Sequence, residues 1–256
     1  MKTSNPAYLR WLNIIAYLLT VLVNDLAGST TILGGRNTAQ VSDANPTLVT
    51  PAGYVFSIWG VIYILLGVFV VFQALPAERG KNFQKSIGPL FILSSVLNII
   101  WLFLWQFEFL SLSVVIMFLL LSTLISIYLR LNIGKSKSPM REKLAVNLPF
   151  SVYLGWITIA SIANVSVTLV SIKWNGFGIS PETWAILIII VAMLIALLVI
   201  TTRKDVAYGL VIIWALVGIS VMQSGNQSIV TTAGIGAIIL AISLIAIVVF
   251  VKFKRR

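Results

Sequence analysis

The chain contains no cysteine and no histidine. Without cysteine there is no disulfide, no thiolate metal site, no thiol nucleophile and no lipoprotein anchor, and the redox compartment leaves no mark. Without histidine the commonest general base, the usual proton shuttle and the preferred haem or zinc ligand are missing as well. Charge is also scarce: Asp, Glu, Lys and Arg make up 10% of the 256 residues, against about 25% in an average soluble domain. Apolar residues are abundant. They make up 59% of the chain, with a mean hydropathy of +1.03, more than a soluble domain of this length can bury. Such a composition calls for the bilayer as solvent. The formal charge of +11 does not point to nucleic acid, because the Lys and Arg residues sit between apolar runs instead of clustering on one soluble face.

A transmembrane helix needs about 20 mainly apolar residues to cross roughly 30 Å of hydrocarbon. Eight runs qualify, near 8–28, 52–75, 87–107, 110–131, 144–172, 183–201, 206–223 and 229–251. The expected fold is therefore all-α, a polytopic membrane bundle of eight transmembrane helices. The runs are continuous rather than alternating, which argues against a barrel, and none carries an ionisable residue in its middle. Of the 18 Lys and Arg residues, only Arg36 and Lys173 fall on one side of this arrangement. The positive-inside rule makes the other side cytoplasmic, so a multi-pass protein of the cell membrane with both termini in the cytoplasm is expected. The asymmetry holds only for an even number of spans. Arg10, Asn13 and Asn24 interrupt the first span, which reads as a retained helix and not as a signal peptide.

The connections are short except for the outer one from Ser29 to Pro51. Its Gly34, Gly35, Arg36, Asn37, Asp43, Asn45, Pro46 and Pro51 suit turns, and at about 22 residues it exceeds what a helical hairpin requires. The basic inner loop from Asn132 to Lys143 is mainly a topology signal. Ser180, Pro181 and Glu182 read as an N-cap, a first-turn proline and a first-turn acid. Trp11, Trp174 and Trp184 fall at the interfaces, as aromatic-belt anchors. The Gly234 and Gly236 region suits close helix packing, in scaffold or oligomer contact, and a homodimer stays open.

Three spans carry polar and aromatic stripes. Phe56, Trp59 and Tyr63 share one helical face of the second, and Asn98, Trp101 and Trp105 share one of the third. Tyr153, Trp156, Ala160 and Asn164 form a stripe on the fifth, with Thr158 and Ser161 nearby. An Asn inside the membrane should face the bundle interior, where its amide finds a partner. The stripes converge either as an aromatic-lined pocket under the outer loop, suited to a flat hydrophobic ligand, or as helix-to-helix glue. Asp25 could join such a site or serve as an interfacial carboxylate. Glu108 belongs to the outer turn.

These segments resemble the TspO/MBR family, the tryptophan-rich sensory proteins related to the mitochondrial translocator protein or peripheral benzodiazepine receptor. Thr50 to Tyr63, TPAGYVFSIWGVIY, resembles the family's second-helix signature. Leu97, Asn98 and Trp101 resemble its third-helix LN-x-x-W. Tyr153, Leu154 and Trp156, with Ala160 and Asn164, resemble its fifth-helix YL-x-W-x-x-x-A-x-x-x-N. Phe56 and Trp59 stand three apart where the family usually has four, and Val152 replaces a common proline. The resemblance covers the first five spans, which divides the chain into a five-helix domain, 1–172, and a three-helix extension, 173–256.

The resemblance implies that Phe56, Trp59, Tyr63, Asn98, Trp101, Trp105, Tyr153, Trp156, Ala160 and Asn164 bind a tetrapyrrole such as protoporphyrin or haem, or a sterol-like molecule. It also implies a part in sensing, transport or stress signalling. No cofactor is required. The lipid bilayer is the other partner, and nucleic acid is not expected. Chemistry favours binding over catalysis, since no paired intramembrane carboxylates and no nucleophile beside a base are visible. The competing class is a secondary transporter or channel for an uncharged small solute using all eight helices.

Overall fold

A computed structural model describes residues 7–253. Lys2, Lys254, Arg255 and Arg256, which contribute to the charge asymmetry, lie outside the described residues. Within that range the regular structure is helical: α1 (Ala7–Ser29), α2 (Thr38–Asp43), α3 (Ile58–Ala74), α4 (Asn82–Ile87), α5 (Leu90–Gln106), α6 (Leu110–Arg130), α7 (Met140–Glu142), α8 (Leu148–Ser171), α9 (Pro181–Arg203), α10 (Val206–Met222) and α11 (Gln227–Phe253). Six helical segments are long and apolar enough to cross a membrane: Tyr8–Ser29, Gly53–Ala74, Leu110–Arg130, Met140–Ser171, Pro181–Arg203 and Gln227–Phe250. The other two apolar helices, α5 and α10, have 17 residues each. At 1.5 Å per residue they reach about 25 Å, the short end of what spans a bilayer. The chain is an all-α polytopic membrane bundle.

Local sequence accounts for three departures from the expected helix limits. The second span opens with a 3-10 turn, Gly53–Ser57, before α3 begins. The third starts at Leu90 and not at 87, because Gly88, at φ 49°, and Pro89 separate α4 from α5. The fifth is continuous from Met140 but contains a π-turn, Lys143–Asn147, where the Leu148 N–H bonds the Lys143 carbonyl. Pro149 follows and has no N–H to offer the normal ladder, so the wider turn absorbs the irregularity. The Ser180 cap is present as expected, its hydroxyl accepting from the Thr183 N–H at 3.1 Å with Pro181 in the first turn.

Bonds between helix ends show that successive spans alternate in direction. At one end Gln106 reaches Ala27, Thr168 reaches Leu110 and Gln223 reaches Thr47. At the other Gln73 reaches Arg10, Asn147 reaches Ser136 and Arg203 reaches Asn132. The long loop 30–51 covers the first end as a lid.

α8 is the axis of the bundle. Every residue from Pro149 to Ile159 is buried, as a helix apolar on all sides must be, and α3, α6 and α10 pack around it. Gly155 lets α10 approach: a Cβ there would lie 3.1 Å from Val211 Cβ and 3.3 Å from the Tyr208 carbonyl oxygen. α9 packs on α10 and α11 but touches α8 at few points. At the end away from the lid, Asp205 caps α10, accepting from the Tyr208 N–H at 3.2 Å. The buried Asp205 carboxylate also accepts from the Tyr128 hydroxyl at 2.9 Å and from Ser151, tying α6, α8 and α10 together. In the last helices a Cβ at Gly236 would meet Leu216 at 3.3 Å, whereas Gly234 faces open space.

Candidate ligand-binding site

The stripes of α3, α5 and α8 meet in one aromatic cluster with Trp59 at its hub. The Trp59 ring stacks on Tyr63 at 5.7 Å and on Trp101 at 6.1 Å, and meets Trp156 edge-on at 6.1 Å and Tyr153 at 6.2 Å. Trp101 stacks in turn on Trp105 at 5.8 Å, and Phe56 meets Trp156 edge-on at 5.8 Å. Phe56 belongs to the 3-10 turn rather than to α3. The three-residue period of that turn keeps positions i and i+3 on one face, so Phe56 and Trp59 line the same cavity.

That cavity is bounded by Phe56, Trp59, Trp101, Trp105, Trp156, Ala160 and Asn164 from the expected set, with Thr38, Ser42 and Pro51 of the lid closing it. Tyr63, Asn98 and Tyr153 do not line it; Tyr63 and Tyr153 pack against Trp59, and Asn98 bonds Tyr153. Asp25 is exposed and accepts from the Ser29 hydroxyl at 3.1 Å. The free volume is about 30 Å³, room for a water or two where ligand pockets commonly measure about 300–1,000 Å³. The rings themselves fill the site.

Both stripe amides are taken up by helix-to-helix ties. Asn98 donates to the Tyr153 hydroxyl at 3.1 Å and accepts from the Asn24 amide at 2.7 Å. Asn164 accepts from the Trp101 indole N–H at 2.8 Å and donates to the Ser113 hydroxyl at 2.9 Å. The Trp156 indole N–H is different: buried on the cavity wall, it has no hydrogen-bond partner, and the Tyr63 hydroxyl beside Asn98 and Tyr153 also makes no well-formed bond. Leaving such a donor unpaired costs about 1–3 kcal/mol.

The lid is built, not a bare turn. Asn37 and Gln40 form a reciprocal capping box that starts α2. The Trp105 indole N–H holds the Thr38 carbonyl at 3.1 Å, and the Gln106 amide donates to the Ala27 and Arg36 carbonyls at 2.9 and 3.1 Å. Gly34, at φ +70°, lies so close to α5 that a Cβ would stand 2.1 Å from the Gln106 carbonyl oxygen. Arg36 pairs with Glu108 at 2.9 Å, both half exposed, an ion pair worth little. The second half of the lid and the turn after it belong to α10. The Ala52 N–H bonds the Gly218 carbonyl at 3.1 Å, the Gln223 amide the Thr47 carbonyl at 3.3 Å, and the Trp214 indole the Val55 carbonyl at 3.2 Å. A Cβ on Gly218 would come within 2.2 Å of Val55. Sequence reasoning gave Trp214 and Gln223 no part in the site, and no local pattern marks their tertiary role.

A family model described as TSPO-like protein matches residues 10–246. The chain belongs to the TSPO-like family. The match runs on through α9, α10 and most of α11, beyond the five helices whose motifs carry the resemblance. No curated protein and no solved structure matches the chain. Family membership and the apolar helices together make this TSPO-like chain a multi-pass membrane protein. Among the described residues no group of three or more His, Cys, Asp or Glu is arranged to hold a metal ion. What the cluster offers a ligand is flat ring surface with the buried, unpaired indole N–H of Trp156.

Proposed function

We propose that this TSPO-like protein binds a flat hydrophobic ligand, a tetrapyrrole such as protoporphyrin or haem, in the aromatic cluster beneath the lid, and takes part in sensing or transporting it rather than in catalysis. The observation that carries this reading is the Trp156 indole N–H, buried and unpaired on a wall of aromatic rings. A macrocycle would exchange the ring contacts of Trp59, Trp101 and Trp156 for contacts with its own face, and a polar edge would accept from Trp156. The free volume of about 30 Å³ is too small for a macrocycle, so binding requires the lid to lift and the rings to part. With no histidine or cysteine to ligate iron, the metal-free ring is the better probe. By the charge asymmetry, both termini face the cytoplasm and the lid faces outward.

Titration with protoporphyrin, followed by tryptophan quenching, tests the proposal. Saturable quenching at micromolar ligand is expected. In Trp156→Phe, which keeps a ring and removes the N–H, affinity should fall about fivefold, the worth of one hydrogen bond. Unchanged wild-type fluorescence would overturn the reading. The hold of α10 on the lid supports the alternative, a transporter of an uncharged solute in which all eight helices move together; gradient-dependent uptake into proteoliposomes would favour it.

A further inference from the structure

A larger cavity lies away from the aromatic cluster, in the gap between α8 and α9. Its volume is about 500 Å³. Val165 and Leu169 of α8 and Ile188 of α9 form its depth, the lid segment Pro46–Val49 covers it, and Trp174 and Trp184 stand at its rim. From Pro181 to Ile188 the wall descends seven residues, about 10 Å along the helix axis, so the gap reaches from the interface into the hydrocarbon. The rim is fixed. Trp184 donates its indole N–H to the Gly176 carbonyl at 2.9 Å, and Trp174 packs on Trp184 and on Phe177, both at 5.3 Å. The half-buried Trp174 lines the gap, and its indole N–H makes no hydrogen bond among the described residues.

We propose that this gap is a binding site for one acyl chain of a membrane phospholipid from the leaflet on the lid's side, with the Trp174 N–H donating to the ester carbonyl at the head of that chain. Three physical points lead there. A space walled mainly by Val, Leu and Ile, with the Ser166 hydroxyl already bonded to the Ile162 carbonyl, holds water poorly, and left empty it forfeits dispersion contacts along its walls. At this depth the material at hand is lipid chain. The polarity is graded to match, with hydrocarbon walls below and indole and amide groups at the rim, which is the arrangement of a glycerolipid across the same boundary. The site shares no lining residue with the aromatic cluster, so lipid retention in the gap and tryptophan quenching at the cluster are separate readouts.

Native mass spectrometry of the full chain, purified from its membrane in mild detergent, provides the test. One phospholipid retained per protein is expected. Leu169→Trp, which fills the gap, should abolish retention, and Trp174→Phe, which leaves the packing in place and removes the donor, should lower occupancy about fivefold. If Leu169→Trp fails to fold, as judged by its elution profile and helical circular dichroism, the Trp174→Phe result stands alone. No retained lipid in the wild type, or equal retention in the variants, overturns the proposal. Displacement of the lipid by added protoporphyrin would also overturn it, assigning the gap to the macrocycle.

Discussion

The tie between Trp101 and Asn164 tests whether the aromatic cluster is held by specific bonds or by packing alone. Asn164 is 2% exposed, with its carbonyl 2.8 Å from the Trp101 indole nitrogen and its amide nitrogen 2.9 Å from the Ser113 hydroxyl. Replacing it by Leu strands the indole N–H, while Ser113 keeps its 2.7 Å bond to the Leu110 carbonyl. A stranded buried donor costs about 1–3 kcal/mol, whereas hydrogen bonds between membrane helices average about 0.6 and reach about 1.7 kcal/mol. Asn164→Leu should therefore destabilise the bundle by about 1–2 kcal/mol. In a Trp101→Phe background no N–H is left to strand, and the same substitution should cost about 1 kcal/mol less. Equilibrium unfolding in mixed micelles, driven by a denaturing detergent and followed by helical circular dichroism, measures all four proteins of the cycle. A coupling below about 0.3 kcal/mol, the scatter of independent sites, would refute the claim that this bond holds α5 to α8.

Trp156→Phe removes a buried unpaired donor, so the ligand-free protein should gain about 1 kcal/mol in the same assay while its affinity for protoporphyrin falls. Gly34→Ala places a Cβ against the Gln106 carbonyl at a positive φ, and limited proteolysis should show faster cleavage within 30–51 than in the wild type. Asp205→Ala removes the cap of α10 together with the acceptor for Tyr128 and Ser151; a loss of about 2–3 kcal/mol is expected, read as a lowered unfolding midpoint. Because the chain has no native cysteine, single cysteines report topology cleanly. A membrane-impermeant maleimide should label Ala39→Cys in intact cells and Lys137→Cys only after permeabilisation, and the reverse pattern would invert the orientation.

Much of the framework can be read locally. The apolar runs and the Ser180 cap depend on composition and on neighbours a few residues apart, and the structure keeps them as helices and as a cap. The 3.6-residue period likewise sets Trp59 and Tyr63, Trp101 and Trp105, and Tyr153 and Trp156 on stripes that face inward. Local rules also identify the irregularities once noticed: Asn37 with Gln40 starts a helix inside the long loop, and Pro149 follows a widened turn.

How much room those stripes leave when they meet was decided only in three dimensions. Free volume is what remains after side chains from separate helices interdigitate, and no stretch of sequence carries it. The aromatic site accordingly proves to be filled by its own rings, with both stripe amides spent on holding helices together and the buried Trp156 N–H unspent. The same holds for Gly155 and Gly218, ordinary small residues in sequence that prove to be the points where α10 meets α8 and the turn into the second span. The missing cysteine and histidine remove thiol and imidazole chemistry from the chain. Which surfaces touch, and so where a ligand has space, depended on contacts between residues up to 176 positions apart.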